Sequence, residues 1–285
     1  MSAVRLIVLT ALAMTAFAGN SLLCRAALKH TSIDAASFTS VRLLSGALML
    51  WLIVQVRKDT AAGKGSWRSA LALFAYAAAF SYAYSSLPTA TGALLLFGTV
   101  QTSLIVHGLY AGERLHGVQI AGFVLAVGGL VGLLLPGLSA PPLFGALLMI
   151  IAGIAWGIYT VRGKGAGDPT HVTAGNFLRT VPLAAMLSML MYRNFSFDAA
   201  GMGYAIVSGA LSSGVGYAIW YAVLPSLKST RAAAVQLGVP VIAALGGVVL
   251  LGEPLTQRLE MSSAAILGGV ALVILERYQM QKGAG

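Results

Sequence analysis

Apolar residues run in stretches of about twenty along almost the whole chain, interrupted only by short polar or turn-forming segments. Each stretch matches the roughly 20 residues that a helix needs to cross a hydrocarbon layer about 30 Å thick. The divisions fall near 5–24, 35–56, 68–87, 89–111, 118–135, 142–161, 172–192, 201–224, 231–251 and 261–276. Ten crossings are therefore predicted, in an all-α membrane protein. Pro88 separates the third from the fourth; without that break, 68–111 would be far too long for one bilayer. Composition agrees, with 58% hydrophobic and 9% charged residues, where a soluble domain has about a quarter charged. The gaps leave no room for a soluble domain.

The chain carries a formal net charge of +10, but a nucleic-acid groove needs Lys and Arg gathered on one wetted face. Here they stand singly or in pairs at span ends, the pattern of membrane topology. Of the 18 Lys and Arg, Arg42 and Arg179 lie inside spans, Arg25, Lys29, Arg193 and Arg258 fall on one side, and the other twelve share the side of both termini. This bias predicts cytoplasmic termini. Arg5, the apolar run from Leu6 and Ala16-Phe17-Ala18 imitate a signal peptide with its cleavage site. The first span is nonetheless expected to be retained, because it has a partner later in the chain.

That partner belongs to an internal repeat. At an offset of 137, Arg25 meets Arg162, Arg42 meets Arg179, and Tyr84-x-x-x-Pro88 meets Tyr221-x-x-x-Pro225. At 140, Gly112-Glu113 meets Gly252-Glu253 and Gly128-Gly129 meets Gly268-Gly269. Arg and Glu are scarce in this chain, so their coincidence carries more weight than that of glycines. Two units follow, 1–137 and 138–285, each of five spans. Because five is odd, the second unit enters the membrane inverted, giving two repeats about a central cavity and a pseudo-two-fold axis in the membrane plane, an architecture suited to alternating access.

With Gly112-Glu113-Arg114-Leu115 and Gly252-Glu253-Pro254-Leu255 closing the fourth span of each half before a Gly-rich fifth, the chain resembles the drug/metabolite transporter superfamily, in particular its ten-helix EamA-type exporters. Arg114 replaces the Pro usual in the first copy. Within the superfamily the chain is most similar to the YddG group of amino-acid exporters. The resemblance implies export of amino acids or similar small metabolites across a bacterial inner membrane. Physically, each paired Glu follows a Gly suited to a helix C-cap, and its carboxylate is placed to cap the next helix or pair with a nearby base, a structural duty.

Side chains four apart share one helix face. Phe80 and Tyr84 in the third span correspond to Tyr217 and Tyr221 in the eighth; Tyr76 extends the first stripe and Trp220 stands beside the second. Two aromatic walls around a cavity are one reading, and interfacial aromatic belts are the other. Trp156 and Tyr159 face Gly19 and Leu22 at the repeat offset, an asymmetry where substrate preference can arise. Asn20, Gln101, Asn176 and Gln236 are polar groups in apolar runs and need partners in protein or a wet cavity. Arg42 and Arg179 could clamp a substrate carboxylate, although snorkelling or pairing with helix-end carbonyls is favoured for both. Gly128-x-x-x-Gly132 and Gly153-x-x-x-Gly157 read as helix packing.

All eight acidic residues lie in loops or at span ends. A mid-membrane proton relay and the cationic-drug exchange of four-helix relatives are thereby disfavoured, leaving gradient-driven export or exchange. Neither H-E-x-x-H nor G-x-S-x-G occurs and the four His are scattered, so no catalytic site, metal or cofactor is expected. The lone Cys24 reads as a packing residue. Export of drugs, phosphorylated metabolites or nucleotide-sugars is the alternative cargo, although phosphate would favour more buried bases than Arg42 and Arg179.

Overall fold

The computed structural model describes residues 2–57, 63–112, 114–137, 139–163, 166–196, 198–227, 232 and 235–283, with side chains as far as 274. Glu113, one half of the paired Gly-Glu motif, lies outside the described residues.

Ten helices account for the described chain: α1 (Ala3–His30), α2 (Ala35–Arg57), α3 (Trp67–Tyr84), α4 (Thr89–Tyr110), α5 (Gly117–Leu134), α6 (Leu143–Gly163), α7 (Pro169–Leu190), α8 (Ala199–Ser226), α9 (Gly238–Leu251) and α10 (Gln257–Gly283). They coincide with the ten apolar runs. Seven are long and apolar enough to span a bilayer by length and composition alone. Of the others, α3 and α7 are diluted by polar residues, among them buried Ser69, Ser81, Thr173 and Asn176, and α9 is shorter. Pro88 does divide α3 from α4, standing as the residue before Thr89.

Local chemistry sets several boundaries. Ser66, Asp168 and Asp198 cap α3, α7 and α8 by accepting from the N–H three residues on. Gly252 adopts φ 61°, a left-handed conformation nearly free for glycine, and this lets the Glu253 N–H reach back to the Gly247 carbonyl at 3.0 Å. Helix α8 is not uniform: Ser208–Val215 widens into a π turn. This Gly- and Ser-rich stretch is weakly committed to α geometry, and such bulges recur at functional sites.

The packing has the symmetry that an inverted repeat requires. Helix α2 packs on its mate α7 and α5 on its mate α10; α1 packs on α8 and α9, just as α6 packs on α3 and α4. Small residues permit these approaches. A Cβ at Gly153 would stand 2.6 Å from Thr99, and one at Gly157 3.0 Å from Ser103, so this pair seats α6 on α4 as its spacing predicted. The other spacing is corrected: Gly128 and Gly132 face open space, and it is Gly122 and Gly129, on the neighbouring stripe, that meet α10. Periodicity identified the helix but not which of its glycine stripes faces a partner.

Candidate functional site

Every described carboxylate serves a helix N-terminus. Asp34 accepts from the Ala36 and Ser37 N–H groups of α2 at 2.9 and 3.0 Å, Asp168 and Asp198 cap as above, and Glu260 sits in the first turn of α10. Glu253 accepts the Thr89 N–H of α4 on Oε2 at 2.7 Å and receives Arg25 Nε on Oε1 at 3.1 Å. The pairing with a base foreseen for this residue is present, but the expected cap is corrected: the helix that Glu253 caps is not the next one, α10, but α4 of the other repeat. Arg25 also donates to the Tyr84 carbonyl at 2.9 Å. This latch ties α1, the α3–α4 turn and the α9–α10 turn together at the end of the bundle away from the termini. Its repeat mate Arg162 instead donates to the Ser69 hydroxyl at 3.3 Å.

Outside the membrane spans, burial pushes the Asp34 carboxyl up, but donors from the Ser196 backbone, the Ser37 side chain and α2 outweigh it and hold the group below its usual range. For Asp168 burial is likewise overcome, here by His171 and the Arg57 guanidinium. Both acids therefore remain ionised and serve their caps.

With the acids so engaged, none among the described residues reaches Arg42, whose side chain is 1% exposed about two turns into α2. Its Nη2 donates to the Tyr76 hydroxyl at 3.1 Å, while its Nε and Nη1 are buried with no partner. The guanidinium lies over the rings of Phe80 (4.9 Å) and Tyr76 (5.3 Å), which partly offset the lost hydration. Snorkelling and helix-end pairing, favoured from the sequence, are both overturned for Arg42: it is too deep to reach either water or a terminal carbonyl. The carbonyl reading describes Arg179, which is half-buried and donates to Gly175 O at 2.8 Å and to Lys64 O.

Around Arg42 a polar relay crosses four helices. The Ser208 hydroxyl in the π turn of α8 donates to Asn20 Oδ1 at 2.7 Å; Asn20 Nδ2 in α1 donates to the Tyr76 hydroxyl of α3 at 3.2 Å, the same oxygen that Arg42 engages. That oxygen receives two donors, so its own proton points elsewhere. Close backbone contact sets the register, since a Cβ on Gly209 would overlap the Arg42 carbonyl.

The aromatic residues form one cluster on this charge. Trp156 stands 4.8 Å from Tyr76, 5.2 Å from Tyr159 and 5.5 Å from Tyr217, stacked on the last at 18°. Phe80 meets Tyr84 edge-on at 4.7 Å, and Tyr221 lies 6.3 Å from Tyr217. The third- and eighth-span stripes thus converge with the asymmetric Trp156 between them. Asn176 joins at the rim, donating to the Tyr159 hydroxyl at 3.3 Å and accepting the Ser66 N–H. Trp220 is one ring removed, reached through Phe17 at 6.2 Å. Gln101 and Gln236 hydrogen-bond to no cluster member among the described residues, and Arg179 stands apart. An open groove of about 720 Å³ between α4, α5 and α6 lies to one flank and does not include the cluster.

Sequence reasoning missed three participants. Phe17 and Phe177 each pack on Tyr217, at 5.5 and 6.1 Å; Phe17 was visible only as part of a signal-like end. Ser208 had no signal beyond the Gly/Ser-rich composition around it.

The helical arrangement in two similar halves is one that known proteins share. A model of the EamA-like transporter family matches residues 4–135 and again 143–275. The chain belongs to the EamA-like transporter family. A Pseudomonas aeruginosa protein described as uncharacterized is 58% identical over 274 residues, covering 96% of both chains. The Escherichia coli threonine/homoserine exporter RhtA is 31% identical over 158 residues, covering 53% of this chain and 52% of RhtA. A crystal structure with 19% sequence identity superposes with a TM-score of 0.68 over 96% of this chain and 99% of that one, sharing the fold. This EamA-family transporter is thus a multi-pass protein in which both family matches contribute to one central cluster.

Proposed function

We propose that this transporter exports amino acids or similar small carboxylates with apolar or aromatic bodies by alternating access across a bacterial inner membrane, with both termini cytoplasmic. The observation that carries the reading is Arg42: a buried guanidinium with two unpartnered donor nitrogens, no carboxylate in reach among the described residues, and a wall of rings. A charge so placed is strongly unfavourable unless an anion completes it, and a guanidinium fork matches a carboxylate geometrically. The rings of Tyr76, Phe80, Trp156 and Tyr217 supply the apolar subsite, while Asn20 and Ser208 orient the Tyr76 hydroxyl. On this reading the Arg25–Glu253 latch is the outer gate, and efflux runs down the substrate gradient.

Efflux of labelled threonine, methionine and phenylalanine from proteoliposomes tests the reading. Saturable efflux or counterflow of at least one is expected, with loss in Arg42→Gln and altered selectivity in Trp156→Ala. Transport of amines but of no carboxylate would overturn it. A reporter active only outside the cytoplasm, fused to Gly285, is expected to be silent; strong activity would reverse the orientation.

A further inference from the structure

We infer that the preferred cargo is a carboxylic acid without a free ammonium group, an N-acylated or deaminated relative of an apolar or aromatic amino acid, exported as a monoanion. This inference rests on the carboxylate reading of Arg42 given above and names the substrate class within it.

The site supplies half of what a zwitterion needs. An α-ammonium bound beside a carboxylate calls for an anionic or strong acceptor partner, and every described carboxylate is committed to a helix N-terminus or to Arg25. The nearby acceptors are neutral and partly engaged: Asn20 Oδ1 receives Ser208, and the Tyr76 oxygen receives both Asn20 and Arg42. The unpartnered charged groups are donors, Arg42 Nε and Nη1. A site with a cationic donor and no anionic acceptor among the described residues favours an anion over a zwitterion.

Charge balance points the same way. Arg42 with a bound monoanion makes a neutral, hydrogen-bonded pair suited to a buried, ring-lined site. With a bound zwitterion the site keeps one net positive charge, and the ammonium lies close to the guanidinium in a medium that screens weakly. Acyl or oxo groups remove that repulsion and present apolar or accepting surface to Trp156 and Tyr217, whose stacked rings can hold a planar or aromatic group. A further consequence concerns driving force. Each monoanion exported moves one negative charge outward, so an inside-negative potential drives the cycle by roughly 2.3 kcal/mol per 100 mV, about a fiftyfold gradient. Zwitterion export would be indifferent to potential.

Binding of 3-phenylpropionate, N-acetylphenylalanine, phenylalanine and phenethylamine to the purified full chain is measured by calorimetry, and labelled efflux is followed in proteoliposomes with a valinomycin-clamped potassium potential. The two monoanions are expected to bind at least ten times more tightly than phenylalanine, phenethylamine not at all, and 3-phenylpropionate efflux to accelerate when the lumen is negative. Arg42→Gln, checked for a cooperative melt, is expected to lose monoanion binding. Phenylalanine binding as tightly as the monoanions, or efflux insensitive to potential, overturns this inference and leaves the carboxylate reading standing. Phenethylamine binding in place of the acids overturns both, and binding of none of the four overturns this inference.

Discussion

Arg42 and Arg179 occupy equivalent places in the two repeats and have opposite surroundings. Both stand within the second helix of their half, yet Arg42 is 1% exposed over two rings with two unpartnered donor nitrogens, whereas Arg179 is half-buried and donates to backbone carbonyls that hold the α2–α3 connection on α7. Duplication fixed the position, and the neighbours fixed the chemistry. Tyr76 in α3 receives Arg42; at the same offset α8 has Ser213, which cannot do the same. The Arg25–Arg162 pair repeats the lesson, one bound to Glu253 and the other to Ser69.

The sharpest way to break this comparison is to neutralise each arginine. Arg42→Gln is expected to lower efflux about 100-fold, since a charge-assisted clamp on a carboxylate is worth about 3 kcal/mol, while Arg179→Gln changes it less than about threefold. Equal losses would show that the two repeats still act alike. Arg42→Met separates function from stability: removing an uncompensated buried charge is expected to raise stability by about 1–4 kcal/mol while abolishing transport, as a thermal melt beside the efflux assay will show.

Glu253→Ala leaves Arg25 without its anion and Thr89 N–H without its acceptor, and is expected to cost about 3 kcal/mol. Arg162→Ala, which breaks only a hydrogen bond to Ser69, is expected to cost about 1 kcal/mol. Within α8 two glycines give opposite signs. Gly209→Ala drives a methyl into the Arg42 carbonyl and is expected to destabilise by about 1–3 kcal/mol and slow efflux; Gly203→Ala, facing open space, gains about 0.5–1 kcal/mol of helix propensity.

The smallest effect is electrostatic. Asp34 and Asp168 have carboxyls held below their unfolded value, so their contribution is complete above about pH 4 and fades as pH falls through the depressed folded values. The melting temperature is expected to drop below pH 4, and less so in Asp168→Ala, which forfeits about 1 kcal/mol of capping at neutral pH.

Much of this site was legible in the chain because helical spacing is rigid. Residues four apart share a face, so Tyr76, Phe80 and Tyr84 had to stand in one stripe, and the repeat offset found its counterpart in Tyr217 and Tyr221. The partners across the gap were not legible. Nothing in the spacing of α1 distinguishes Phe17, which enters the cluster, from its apolar neighbours, and nothing in α4 shows that Gln101 stays out of it. The depth of Arg42 was misjudged for the same reason. Two turns from a helix start is close to water only if no other helix covers that face, and here α3 and α8 do.

The sequence by itself determined ten membrane-crossing helices and their duplication, because hydrocarbon thickness, backbone hydrogen bonding and the odd number of spans per repeat leave few other solutions. Only the tertiary structure decided that one of two equivalent arginines keeps unpartnered donors while the other meets backbone carbonyls. That outcome depends on which groups of the two halves meet each guanidinium, and those distances exist only once the helices have packed.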